Sequence, residues 1–311
     1  MSLTVVGSIA FDSVRTPFGE REGMLGGSAV HFALAAGFFT DVHVVGPVGD
    51  DFGAEHLELL RSRGAHVEDI EHVEGGSTFL WRGHYEVDMN LAHTDDTQLG
   101  VFADFEPKLS ESSRDAEILF LGNIQPDLQR RVRGQCSPRL AALDSMNLWI
   151  ETTRESLLAA IGEVDCVLLN DSEIRMLTEE PNLARAARKV IDLGPRIVVA
   201  KRGEYGAVLF TPDDFFALPG FLLEDVRDPT GAGDSFAGGF LGYLDMQGTE
   251  QPSEPALRCA MAYGTVLASF NVERFGTERV ASLTENEIGE RYEALRAMTG
   301  FDVRSPRPSP S

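Results

Sequence analysis

The sequence predicts an α/β protein with a mainly parallel central sheet and a second, smaller sheet. From about residue 116 onward, short apolar runs alternate with helical stretches, a pattern typical of parallel strands joined by helices. Residues 77–105 differ, because apolar and polar side chains alternate there with the period of two that marks a half-exposed strand. Such strands do not suit the apolar interior of a parallel sheet. Together with residues 12–25 they are therefore assigned to a separate sheet.

The predicted strands of the central sheet are apolar runs that end in small or polar residues. They span residues 3–9, 42–48, 118–121, 140–143, 166–170, 197–200, 207–210 and 215–218, with a further short strand within 67–73. Helices are predicted where apolar side chains recur at helical spacing. They span residues 29–39, 56–63, 126–133, 154–163, 172–178, 182–193, 254–270 and 284–298, with one more that begins near residue 234.

The most informative segment covers residues 228 to 240 and reads DPTGAGDSFAGGF. Gly231 and Gly233 allow backbone conformations and close approaches that a side chain would block. A helix begins near Asp234, and the amides at a helix N-terminus converge on an anion, typically a phosphate. A carboxylate at that point can accept the proton of a hydroxyl. The segment therefore predicts phosphoryl transfer to an alcohol, although an isolated Gly-Asp pair is more often a simple helix cap.

This segment resembles the C-terminal signature of the ribokinase-like (PfkB) carbohydrate kinase family, and the resemblance extends from about residue 3 to residue 298. It implies a ribokinase-like three-layer sandwich with a β-sheet lid from residues near 12–25 and 77–103. It also implies ATP as co-substrate with Mg²⁺. Carried over by position, Gly231, Ala232, Gly233 and the amide of Asp234 form the anion hole, and Asp234 is the catalytic base. A single kinase domain is expected over residues 1–311, with a disordered tail at 304–311.

The N-terminal part of the family pattern has an Asp after the first strand and a Gly-Gly pair at a helix start. Here these are Asp12, Gly26 and Gly27, and the resemblance implies that they hold substrate hydroxyls. Taken alone, the glycine pair is as typical of a turn before a helix. His31 departs from the pattern, since the family commonly has a substrate-binding Asn there. Neutral imidazole offers one donor and one acceptor, so His31 either replaces the Asn or packs within the helix.

Two further motifs suggest cation sites. Asn170 and Glu173 match the family's Asn-x-x-Glu motif, which is associated with Mg²⁺ and with the organisation of phosphate groups. The resemblance assigns Asn170 to the nucleotide and Glu173 to Mg²⁺ held through water. The same residues on their own would be an ordinary helix cap with an acid in the first turn. Asp228 matches a position at which several family members bind a monovalent cation, completed by carbonyls near residues 273–277. K⁺ is therefore a possible second cofactor.

The segment KRGEYG at residues 201–206 resembles the turn on the nucleotide side of the family. The resemblance assigns Lys201, Gly203 and Gly206 to the nucleotide, with Lys201 near the phosphates. Surface ion pairing is an equally good account of that lysine. Asn271 is placed at the border of the adenine, or in the core at a helix end.

The acceptor is predicted to be a small sugar or a nucleoside. Phe79, Trp81 and Tyr85 could stack on a base, or could form the lid's own apolar core. A sugar-phosphate acceptor would need a basic cluster, for which the lid offers Arg15, Arg21 and Arg82. A non-catalytic sugar- or nucleotide-binding regulator on the same fold is the alternative of another class. Exposed strand edges in the lid would also allow a homodimer.

The composition limits the partners. With 27 basic and 49 acidic residues the formal net charge is −22, which disfavours nucleic acid and anionic membranes. No apolar run approaches membrane-spanning length, no secretory signal is recognised, and the cysteines at 136, 166 and 259 form no pair in sequence. A cytoplasmic location is predicted. The acidic surface suits either solubility or a salt-rich cytoplasm.

Overall fold

The computed structural model describes residues 2–300, whose strands form a large and a small sheet. The strands are β1 (Ser2–Val6), β2 (Ala10–Thr16), β3 (Gly19–Gly26), β4 (Asp41–Val48), β5 (Ala65–His66), β6 (Ile70–His72), β7 (Phe79–Tyr85), β8 (Ala92–Gln98), β9 (Ile118–Leu121), β10 (Leu140–Asp144), β11 (Cys166–Asn170), β12 (Ile197–Lys201), β13 (Ala207–Phe210) and β14 (Phe215–Leu218). The helices are α1 (Ser28–Ala36), α2 (Ala54–Arg61), α3 (Glu111–Arg114), α4 (Pro126–Arg133), α5 (Asn147–Thr152), α6 (Arg154–Ile161), α7 (Asp171–Thr178), α8 (Leu183–Ile191), α9 (Ala232–Met246), α10 (Glu254–Asn271), α11 (Glu278–Ser282) and α12 (Glu285–Thr299).

The large sheet runs in the order β14-β13-β12-β11-β10-β9-β1-β4-β5, and β6 also pairs with β4. Its strands are parallel from β12 to β5, and β13 and β14 add an antiparallel edge. Successive side chains of a strand point to opposite faces. In β11, for example, Cys166 and Leu168 join one apolar core, whereas Val167 and Leu169 join the other. Helices cover both cores, which confirms the predicted three-layer sandwich.

The small sheet has the order β3-β2-β7-β8. It consists of two antiparallel hairpins that are joined by parallel pairing of β2 with β7. Strands β7 and β8 fall within the predicted lid segment 77–103, whereas β2 begins two residues before the other predicted segment, 12–25, and β3 ends one residue after it. We call this sheet the lid. The lid is confirmed as a separate small sheet beside the main one.

The structure also contains elements that the sequence did not reveal. Helices α3, α5 and α11 were not predicted, because helices of four to six residues are too short to display a clear period. Helix α9 begins at Ala232, two residues before the predicted start. The predicted tail at 304–311 lies outside the described residues, and the single domain stays a prediction. No helix within residues 2–300 combines the length and the apolar character that crossing a bilayer requires.

Helices α1 and α9 approach each other closely because glycine lies at their contact. A Cβ atom on Gly238 would collide with the carbonyl oxygen of Phe32, and one on Gly242 would lie 3.1 Å from the Cα atom of Ala36. Helix α9 begins with the glycine-rich signature, and α1 carries His31. The close contact therefore fixes the position of His31 relative to the signature.

Substitution of Gly238 tests this packing. We expect Gly238→Ala to lower the free energy of unfolding by about 1–3 kcal/mol, because the methyl group overpacks the contact with α1. Gly289→Ala in α12 is the matched control, since an added Cβ there meets no atom within 4 Å. Better helix propensity should make that control about 0.5–1 kcal/mol more stable. Urea unfolding measures both changes, and an equal response of the two variants would contradict the packing account.

Candidate active site

A cleft of about 2030 Å³ opens at the carboxyl ends of the parallel strands. The residues along its floor follow or end neighbouring strands: Ser8 after β1, Asn123 after β9, Asp144 in β10, Asn170 in β11 and Lys201 in β12. This edge of a parallel sheet is where α/β proteins bind ligands. A pocket for one small ligand measures about 300–1,000 Å³, so this cleft has room for two.

The N-terminus of α9 points into the cleft. Gly231 is its N-cap residue with φ of 75°, in the left-handed region that favours glycine. The first amides of a helix have no intrahelical acceptor, so those of Gly233 and Asp234 are available to an anion. Ala232, which the family resemblance assigns to the anion hole, does not line the cleft. Its amide donates to the carbonyl oxygen of Pro229 at 3.1 Å. The anion hole stays a prediction, and in this conformation the amide of Ala232 is not free to take part in it.

Three carboxylates surround one lysine beside this helix start. The ammonium group of Lys201 donates to Oδ2 of Asp144 at 2.7 Å. Burial raises the pKa of Asp234 to about 7, with a further increase from Asp144 and a decrease from Lys201. Burial likewise raises the pKa of Glu173 to about 7, and Lys201 opposes the change. Burial alone would lower the pKa of Lys201, but the carboxylates reverse the effect and keep it charged.

Asp12 in β2 also lines the cleft and is buried, with only 5% of its surface exposed. Burial raises its pKa to about 7, and the negative charge of Asp228 adds to the increase. Gly27 lines the cleft beside it, with φ of 93°. Gly26 does not line the cleft, in contrast to the predicted substrate contact. A side chain on Gly26 would collide with the carboxylate of Asp12, so this glycine makes room for that carboxylate.

His31 lines the cleft next to Gly231, whose missing side chain leaves the space that the imidazole ring occupies. Its Nδ1 atom lies 3.0 Å from Oδ1 of Asn271. Asn271 itself has no exposed surface and is not among the residues that line the cleft. The expected contact of Asn271 with adenine is therefore not met in this conformation. Its side chain instead links His31 to the signature segment.

A family model described as pfkB family carbohydrate kinase matches residues 21–283. The chain belongs to the pfkB carbohydrate kinase family. The resemblance inferred from the signature is thereby confirmed, and the protein is an ATP-dependent carbohydrate or nucleoside kinase.

Individual relatives of this pfkB kinase agree with that conclusion. A cytidine kinase from Thermococcus kodakarensis is 31% identical over 250 residues, which cover 78% of this chain and 87% of the relative. An ATP-dependent ribose-1-phosphate kinase from Halopiger xanaduensis is 30% identical over 249 residues, which cover 78% and 80%. The structure of a Burkholderia thailandensis nucleoside kinase in complex with inosine covers 95% of this chain and 99% of its own, with a TM-score of 0.78 and 18% identity. At that identity the likeness supports the fold alone.

In this pfkB kinase, Asn170 and Glu173 form a capping box at the start of α7. The side-chain oxygen of Asn170 accepts from the amide of Glu173 at 2.8 Å, and the carboxylate of Glu173 accepts from the amide of Asn170 at 2.8 Å. Both residues also line the cleft. The motif therefore caps a helix and faces the predicted phosphate site at the same time.

Asp228, the first residue of the signature, is fully buried. Its carboxylate accepts from the amides of Thr230 and Gly276, each at 2.9 Å. The loop near residues 273–277 thus reaches Asp228 as predicted, but through an N–H group, which cannot ligate a cation. The monovalent-cation role of Asp228 stays a prediction.

The two glycines of the predicted nucleotide turn differ in their surroundings. Gly203 lines the cleft, and a side chain there would collide with the amide group of Asn90 from the lid. Gly206 does not line the cleft, and a side chain on it would collide with the carbonyl oxygen of Leu218. Gly206 therefore shapes the turn rather than touching a ligand in this conformation.

The structure adds site residues that the sequence analysis did not single out. Asn123 lines the cleft after β9 and accepts a hydrogen bond from Nε1 of Trp149 at 2.9 Å. Its position at the end of a parallel strand is a signal that could have identified it. Asn90 accepts from the amide of Glu204 at 3.2 Å, which joins the lid to the nucleotide turn. Nothing in the local sequence marks that contact, because its partners are far apart in the chain.

The buried pair of Lys201 and Asp144 yields a stability prediction. We expect Lys201→Met to cost about 3–5 kcal/mol, since it leaves a buried carboxylate without its cation. The double variant Lys201→Met with Asp144→Asn should recover part of that loss, because no uncompensated charge remains in the pair. Arg258→Met is the control, as its partner Glu254 is exposed and such pairs contribute about 0–1 kcal/mol. Urea unfolding at neutral pH measures the stability of all three variants. An equal loss in Lys201→Met and Arg258→Met would contradict the assignment of Lys201 and Asp144 as a buried ion pair.

Proposed function

We propose that this kinase transfers the γ-phosphate of ATP to a hydroxyl group of a nucleoside, with Asp234 as the general base. The observation that carries the proposal is the position of Asp234 in the cleft, at the start of α9 and beside Lys201. A base and an anion site at one point match the needs of in-line phosphoryl transfer.

The phosphate end of the cleft is assigned to the start of α9. The amides of Gly233 and Asp234 would stabilise charge that develops on the transferred phosphoryl group, with Gly231 shaping the turn. Lys201 lies near Gly233, since its ammonium nitrogen would be 3.0 Å from a Cβ atom placed there. The lysine can therefore reach a phosphate oxygen without a large movement. Asp234 accepts the proton of the attacking hydroxyl.

The acidic side chains near Lys201 fit Mg²⁺. When ionised, three carboxylates would carry three negative charges against the single positive charge of Lys201; they are those of Asp144, Glu173 and Asp234. This excess of negative charge favours the binding of a cation. Within residues 2–300 no cluster of three or more His, Cys, Asp or Glu side chains forms a ready metal cage. Mg²⁺ is commonly held by one or two carboxylates together with water and phosphate oxygens, so such a cage is not required. When bound there, the ion would supply positive charge to the phosphates.

A neutral acceptor is favoured over a sugar phosphate. None of the three lid arginines expected to bind a phosphate lines the cleft. Arg21 instead lies over the ring of Phe275, and Arg82 lies 3.8 Å from Glu22. The lid offers the cleft aromatic side chains, namely those of Phe79, Trp81 and Tyr85. Aromatic faces can stack on a nucleobase, which supports a nucleoside.

Replacement of the base tests the mechanism. We expect Asp234→Asn to lower kcat by about 10²-fold or more, because the amide cannot accept the proton. Binding of MgATP, measured by calorimetry, should remain. Asp127→Asn is the control, since Asp127 lines the same cleft on α4. Near-normal turnover by Asp234→Asn would remove the base assignment. Absence of ADP release by the wild type with a panel of nucleosides and sugars would instead favour the non-catalytic regulator.

The rate should also depend on pH. Because burial raises the pKa of Asp234 to about 7, its ionised form prevails above that pH. We therefore expect kcat/KM to fall as pH is lowered through about 7. In Lys201→Met the fall of kcat/KM should occur at higher pH. Lys201 favours the ionised form of Asp234, so its removal should raise the pKa of that carboxylate further. Asp12→Asn serves as the control, because the pKa of Asp12 is also raised to about 7. If kcat/KM no longer falls at low pH in Asp12→Asn, the titrating group is Asp12 and not Asp234.

A further inference from the structure

Gln129 is a polar residue at a position where an apolar one is expected. It lies between Pro126 and Val132 on the buried face of α4 and has no exposed surface. Val132 packs into one of the two apolar cores, so an apolar side chain would also suit position 129. The Oε1 atom of Gln129 has no hydrogen-bond partner among the described residues. An unpaired buried acceptor is costly, so stability alone does not account for an amide at this position.

The Nε2 atom of this amide joins the ends of two strands. It donates to the carbonyl oxygens of Gly122 at 2.8 Å and Asp144 at 2.9 Å. A third contact, to the carbonyl oxygen of Leu121, is longer at 3.4 Å. A carbonyl oxygen can only accept, so the orientation of the amide is fixed. Because the paired register of β9 and β10 ends at Leu121 and Leu143, Gln129 connects the two chains just beyond that point.

Asp144 extends this connection into the cleft. Its Oδ1 atom accepts from the amide of Ser145 at 2.8 Å, and its Oδ2 atom accepts from Lys201 at 2.7 Å. The ammonium nitrogen of Lys201 lies beside the start of α9, since it would be 3.0 Å from a Cβ atom on Gly233. A shift of the Asp144 main chain would displace the carboxylate and, with it, the lysine. The position of Lys201 relative to the start of α9 therefore depends on the main chain of Asp144.

We propose that Gln129 is a positioning residue for phosphoryl transfer: its amide fixes the main chain of Asp144, whose carboxylate in turn holds Lys201 beside the start of α9. This inference rests on the proposed function, in which Lys201 reaches a phosphate oxygen. Gln129 itself does not line the cleft, so it acts through Asp144. Without the amide, the carbonyl groups of Gly122 and Asp144 would lose the donor that holds them together.

A double-mutant cycle tests the proposal, with MgATP and whichever nucleoside or sugar of the panel reacts fastest. Gln129→Met keeps the length of the side chain and removes both amide hydrogens. We expect it to lower kcat about tenfold and to change the KM of the acceptor by less than about twofold, because a small displacement near the reacting centre slows the reaction without removing a substrate contact. In the Asp144→Asn background the same substitution should lower kcat by less than about twofold, since the carboxylate that Gln129 positions is already absent. An equal fold-loss in both backgrounds would overturn the inference.

Val132→Ala is the matched control. Val132 is fully buried on the same face of α4, but its side chain forms no hydrogen bond. Its truncation should lower stability and leave kcat within about twofold of the wild type. A fall of kcat equal to that in Gln129→Met would show that loosened packing of α4 lowers the rate, and would overturn the inference. Should Gln129→Met not fold, Gln129→Glu takes its place in the cycle, because it keeps the shape of the side chain and offers at most one hydrogen instead of two.

The hydrogen bonds can also be measured without a variant. The sequence has six glutamines, all within residues 2–300, and Gln129 is the only buried one. With ¹⁵N-labelled glutamine, one side-chain amide should exchange its hydrogens with D₂O about 10²-fold or more slowly than the other five. Rapid exchange by all six would overturn the inference. A wild type that phosphorylates no nucleoside or sugar would instead refute the proposed function and leave the slow exchange unchanged, so the two failures are distinguishable.

Discussion

The contact between α1 and α9 sets the geometry of the whole site. Gly238 lies against the backbone of α1, and Gly231 lies against the ring of His31 on the same helix. Larger side chains at these positions would separate the two helices or displace the ring. Because the glycine signature begins α9 and α1 carries His31, the separation of the two helices fixes how close the ring of His31 lies to the start of α9. The glycines of this region therefore matter as much for packing as for the conformation of the turn.

Electrostatic repulsion is the second constraint on the cleft. Asp12, Asp144, Glu173 and Asp234 all line it, and Lys201 is the cation placed among the last three. Burial raises the pKa of Asp12, Glu173 and Asp234 to about 7 in each case. At neutral pH these three carboxyl groups are therefore close to half-protonated. A bound cation would favour their ionised forms, so that cation binding and the ionisation of Asp234, the proposed base, would support each other.

Most strands and helices could be predicted because apolar spacing and the glycine signature are local patterns of the sequence. The run at residues 207–210 and the helix at 126–133 have the bounds predicted from apolar spacing, and the signature identified the start of α9. Local patterns did not reveal which side chains face the cleft. Gly26, Ala232 and Gly206 fit the motif but lie off its surface, since that depends on how distant segments pack. The link between His31 and Asn271 spans 240 residues and could not be derived from either segment alone.

Hydrogen bonds join the lid to two other segments that line the cleft, the signature and the turn at residues 201–206. Strand β2 of the lid carries Asp12, which lies opposite Trp81 of β7 in the parallel pairing. At the end of β7 the hydroxyl of Tyr85 accepts from Oγ1 of Thr230 at 3.3 Å, and at the lid tip Asn90 contacts the nucleotide turn. A movement of the lid away from the cleft would break both contacts. Because Asp12 belongs to the same sheet, that movement would also draw its carboxylate away from Asp234. In the proposed reaction, lid closure and the alignment of Asp12 with Asp234 would be one event, and the closed lid would exclude water from the phosphates.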